Sequence, residues 1–102
     1  MSQIVIENLP LEGIGALCRK YRVRELSIFG SALRDDFRPD SDIDLLVEFE
    51  PDAHIGLIAY AGLQEELSEL LQRPVDLVSK KGLKPLIRQP VLDSAQVLYA
   101  AA

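Results

Sequence analysis

The sequence predicts an α/β (α+β) domain, a small mixed β-sheet flanked by helices, and three observations lead there. Short aliphatic runs at 25–29, 43–49 and 75–78 are cut off by Gly30, Pro51 and Gly82, as strands are. Stretches around them, at 10–21 and 54–72, repeat their apolar residues at helical spacing. Alternation of the two kinds gives the order αβ(α)βαβαβ, which packs as a sheet covered by helices.

Taken in order, Asn8, Leu9 and Pro10 lead into a first helix that runs to about Tyr21. Asn8 is placed to cap it, and Pro10 suits a first turn. Leu11, Ile14, Leu17, Cys18 and Tyr21 form its expected buried stripe. Arg19, Lys20 and Arg22 gather at its end, where cations complement the helix dipole. Glu25 to Phe29 is the first strand. Residues 31–37 form a short helix or turn, and a polar loop surrounds Arg38 to Ser41. Ile43 to Phe49 is aliphatic enough to be buried on both faces. A long helix spans 54–72, with Leu57, Ile58, Ala61, Leu67 and Leu71 near one face. Gln64, Glu65 and Ser68 fall near that face too, so its middle is imperfectly amphipathic. Val75 to Val78 is the third strand. Residues 84–95 read as helical with an interruption at Pro90, and 96–99 as a last, edge strand.

Composition narrows the function classes. The chain has 102 residues, the length of one domain, so 1–102 is read as a single unit. With 48% hydrophobic and 26% charged residues it belongs with ordinary globular chains. A net charge of −5 argues against general affinity for a nucleic-acid backbone. No apolar run is long enough for a membrane span, and the first residues are too mixed for a secretory signal. One cysteine cannot make an intrachain disulfide, which points to a reducing cytoplasm. A domain this small conceals little surface, so self-association or a stable partner complex is expected.

The chemistry concentrates in two segments, Gly30-Ser31-Ala32-Leu33-Arg34 and Ser41-Asp42-Ile43-Asp44. Asp42 and Asp44 open a strand two residues apart, so a period of two projects both carboxylates from one face. Paired like charges are rationalised by a cation, and carboxylate oxygens suit Mg²⁺. Asp76 stands alone in a later aliphatic strand. A helical crossover over 45–75 would make that strand parallel to the second and bring Asp76 beside Asp42 and Asp44. Three converging carboxylates would hold two ions. Gly30 and Ser31, at a strand end turning into a helix, offer N–H groups and a hydroxyl to phosphate. The short link between the first two strands suggests an antiparallel pair, which sets the phosphate bend beside the carboxylates.

Gly30-Ser31, Arg34, Asp42-x-Asp44 and the strand-borne Asp76 resemble the pattern of the DNA polymerase β-type nucleotidyltransferase superfamily. The compact length resembles its minimal nucleotidyltransferases, the antitoxin partners of HEPN toxins. The resemblance spans the first helix to Tyr99. It implies the nucleotidyltransferase fold and transfer of AMP from ATP to an acceptor, a tyrosine of a cognate HEPN toxin. It implies two Mg²⁺ ions on Asp42, Asp44 and Asp76, with Asp76 also helping to deprotonate the acceptor. It assigns the triphosphate to Gly30 and Ser31, with Arg34 contacting phosphate or bracing its loop. The chain departs from the pattern at Asp35, where many members carry a small residue. Two rival functions share these residues: a non-catalytic antitoxin acting by binding alone, and a small-molecule nucleotidyltransferase. The second is disfavoured because no helical acceptor domain accompanies the motif.

Overall fold

A computed structural model describes residues 6–33 and 42–101, with residues 31 and 32 described by backbone alone. A 3₁₀ turn at Ile6–Asn8 precedes helix α1 (Leu11–Lys20), and strand β1 (Val23–Phe29) leads into a 3₁₀ turn at Gly30–Leu33. Strand β2 (Ile43–Phe49), helix α2 (Leu57–Leu71) and strand β3 (Val75–Ser79) follow. A 3₁₀ turn at Lys80–Gly82, helix α3 (Pro85–Ser94) and strand β4 (Gln96–Ala100) complete the order.

The four strands form one sheet in the order β3-β2-β1-β4. β1 pairs antiparallel with β2 and with β4, whereas β2 and β3 are parallel. The expected mixed sheet and both expected strand directions are therefore present. α2 supplies the long connection that the parallel β2–β3 pair requires. No helix among the described residues is long and apolar enough to cross a membrane.

The core lies between the sheet and the helices α1 and α2. Ile14 and Cys18 of α1, Leu63 and Leu67 of α2, and Leu26, Ile28, Leu45 and Val47 of the central strands are all fully buried there. Alternation decides what each strand contributes: Ile43, Leu45 and Val47 point inward, as do Val75 and Leu77 beside them. Leu46 faces the other way and is still buried, so β2 is covered on both sides, as its composition predicts.

Several local expectations are corrected. α1 is preceded by Pro10 with no side-chain cap, because the 3₁₀ turn takes Asn8 out of the capping position. Leu11, at the solvent end of the stripe, is 40% exposed. α2 begins at Leu57 rather than near His54, and its Leu57 and Ile58 are exposed. Its inner face runs instead through Tyr60, Leu63, Gln64, Leu67 and Ser68, polar residues included. α3 passes through Pro90 without a break. The proline removes one backbone donor, whose usual acceptor is the carbonyl of Leu86 four residues earlier, and Leu86 is almost fully exposed to water.

Candidate active site

The exit of β1, the start of β2 and the start of β3 meet at one end of the sheet. Asp44 is the residue that joins them. Across the antiparallel pair it lies opposite Phe29, and across the parallel pair it lies opposite Asp76. Side chains in register share a face, so Asp44 and Asp76 project together from the face turned away from α1 and α2. A strand crossover through α2 thus brings together two carboxylates far apart in sequence.

Gly30 directly follows Phe29 and takes a φ of +77°, the left-handed region that glycine adopts without the strain a side chain brings. A Cβ at this position would run into a carboxylate oxygen of Asp44 and lie 3.3 Å from its carboxyl carbon. The glycine bend and the acidic strand are therefore in direct contact. Gly30 also opens the 3₁₀ turn that contains Ser31.

Asp42 sits one residue before β2 begins and is exposed. Outside the strand, pleating no longer fixes its direction. Among the described residues, no three Asp, Glu, His or Cys side chains close into a group able to hold a metal. Asp44 and Asp76 are brought together by register, and Asp42 stands at their open end. Arg34, Asp35, Asp40 and Ser41 lie outside the described residues, as does the side chain of Ser31.

Donor chemistry nonetheless suits a hard cation. The residues at this end offer carboxylate oxygens, and the absent Gly30 side chain leaves the room that the Asp44 carboxylate occupies. Asp76 is exposed on the outermost strand of its side.

Sequence reasoning missed two features of the surroundings. Lys80 does not extend into solvent. Its Nζ lies 3.5 Å from Glu48 and 4.0 Å from Glu25, which face each other across β1 and β2. One glutamate on each of two strands, Glu25 and Glu48, was the available signal. The second feature is a set of polar contacts from α2 to β3. Ser68 Oγ accepts from the Val75 N–H at 3.0 Å, Gln64 Oε1 accepts from the Leu77 N–H at 2.9 Å, and the Tyr60 hydroxyl donates to the Leu77 carbonyl at 2.7 Å. The imperfect amphipathicity of α2 was its trace in the sequence.

The Nucleotidyltransferase domain family matches residues 12–98, a span that includes every residue of this site. The chain belongs to that family. A protein adenylyltransferase, MntA of Thermococcus cleftensis, is 42% identical over 94 residues, covering 92% of this chain and 91% of the relative. Among solved nucleotidyltransferases, one described as a candidate minimal nucleotidyltransferase superposes with a TM-score of 0.74 at 38% identity, over 94% of this chain and 98% of that one. A toxin–antitoxin crystal structure with AMP-PNP contains a chain that superposes at 0.73 and 25% identity, over 91% and 75% of the respective chains. A complex of tri-AMPylated Shewanella oneidensis HEPN toxin with MNT antitoxin matches at 0.64 and 25% identity, over 89% and 70%.

Proposed function

We propose that this nucleotidyltransferase is a protein adenylyltransferase, an antitoxin that moves AMP from ATP to a tyrosine hydroxyl of a cognate HEPN toxin in the cytoplasm. The observation that carries this reading is the Asp44–Asp76 register beside the Gly30 bend. Similarity to an adenylyltransferase and to chains from toxin–antitoxin complexes supports the choice of acceptor.

In this reading Gly30 and Ser31 receive the triphosphate, with Arg34 as a further phosphate contact, and Asp42, Asp44 and Asp76 hold two Mg²⁺ ions. When bound, the ions supply charge stabilisation at the α-phosphate and at the departing pyrophosphate. Asp76 orients the acceptor tyrosine and takes its proton. The phenolic oxygen then forms a bond to the α-phosphorus in line with the bridging oxygen, whose bond to that phosphorus breaks. Pyrophosphate leaves, and the proton passes from Asp76 to water. Asp76 suits this role because it is the exposed residue of its strand, open to an approaching protein on the face away from α1 and α2. Asp44, hemmed in by the bend and the neighbouring strands, suits a fixed ligand.

Incubation of the chain with the toxin and α-labelled ATP provides the test. Wild type is expected to label the toxin, and Asp42→Asn to abolish labelling and leave the toxin active. Full neutralisation of the toxin by Asp42→Asn without label would show that binding alone silences it.

A further inference from the structure

Asp76 lies on the strand at one edge of the sheet, paired on one side only by β2. In a parallel pair, alternate residues turn their backbone groups to opposite sides. The peptide groups of Asp76 turn toward β2, and those of Val75 and Leu77 turn outward. An outward row of this kind ordinarily meets solvent or another strand. Here it meets α2.

The three contacts bracket one residue. Ser68 holds the N–H of Val75, immediately before Asp76; Gln64 and Tyr60 hold the N–H and the carbonyl of Leu77, immediately after it. The three side chains sit at four-residue intervals on α2 and so form one stripe along the helix. Two of them are themselves held in place. Ser68 Oγ also donates to the Gln64 carbonyl at 2.8 Å. The Tyr60 ring packs against Phe49 with centroids 6.1 Å apart. Burial, and secondarily the charge of Asp76, push the Tyr60 phenol above its ordinary pKa, so it keeps the proton it donates.

We infer that Tyr60, Gln64 and Ser68 are positioning residues that clamp the backbone on both sides of Asp76 and hold its carboxylate in register with Asp44 for acceptor activation. The inference rests on the reading of Asp76 as the acceptor-side carboxylate. A purely structural stripe would affect stability alone, because its hydrogen bonds would contribute to the fold and not to the chemical step. A positioning stripe would affect the chemical step disproportionately, because a shift of about 1 Å at a reacting group can cost on the order of 100-fold in rate.

Gln64→Met removes the acceptor at constant length, and Gln64→Glu keeps an oxygen at the same reach. Both are to be compared with wild type and Asp76→Asn for labelling of the HEPN toxin, alongside thermal melts. Gln64→Met is expected to lower kcat by about 10-fold or more while KM for ATP stays within about twofold, and Gln64→Glu to restore most of the loss. Ser68→Ala and Ser68→Thr form a second pair with the same expectation, should Gln64→Met fail to fold. Wild-type kcat in Gln64→Met and Ser68→Ala, with transfer abolished in Asp76→Asn, would overturn the clamp and leave the role of Asp76 standing. A loss that follows the melting temperature and is not restored by Glu or Thr would also overturn it. Full transfer by Asp76→Asn would remove the underlying reading, and the clamp with it.

Discussion

Only glycine satisfies both demands at position 30, a left-handed backbone and no atom where the Asp44 carboxylate lies. Gly30→Ala is therefore expected to act in two ways at once. Holding alanine in that conformation costs about 1–3 kcal/mol, visible as a lower urea midpoint. Displacing Asp44 should abolish AMP transfer even at temperatures where the variant stays folded, and a labelling assay run well below the melting point separates the effects. At this scale much was legible in the sequence. Asp44 and Asp76 advertise themselves as acidic residues in aliphatic strands, and Gly30 as a stop at a strand end, whereas Asp42, expected to share the face of Asp44, stands just outside β2 where pleating does not set its direction. Gln64 and Ser68 showed only as polar breaks in the apolar face of α2, which does not reveal that a strand backbone satisfies them.

Among the elements, α3 has the least to hold it. None of its residues is buried, Leu86 is 93% exposed, and Pro90 deprives its middle of a donor. Helix stability in proteins comes mainly from packing of an apolar face, which α3 largely lacks. Its amides are expected to exchange with deuterium faster than those of α1 and α2, and Pro90→Ala to slow that exchange by restoring one turn's hydrogen bond. Unchanged exchange in Pro90→Ala would show that packing, not the proline, governs its opening. Strand extents and directions were readable from aliphatic runs and link lengths. The inner face of α2 was not: taking Leu57 and Ile58 as buried set the wheel wrongly. The sheet accepts Leu63 and Leu67 together with two polar residues that serve its edge.

For the molecule as a whole, Cys18 links packing to pH. It is fully buried against the sheet, and that burial pushes its thiol from 9.0 up to about 12. The unfolded thiol ionises first as pH rises, so it binds fewer protons than the native one between those values. Stability should accordingly be intact below pH 9.0 and decline toward about 12, with Cys18 contributing a slope of about 1.4 kcal/mol per pH unit. Urea titrations of wild type and Cys18→Ala across that range isolate the contribution, and parallel curves for the two would refute it. The same burial predicts a thiol inert to alkylating reagents until the protein unfolds. A further consequence belongs to the two rims of the sheet. The rim at β3 is sealed by a helix, whereas β4 is paired on one side only among the described residues. Among the described residues, the β4 rim is therefore the one where a visiting segment from another polypeptide would find an unpaired strand edge. That rim is three strand spacings, about 14 Å, from Asp76, so such a visitor would leave the reacting end unobstructed.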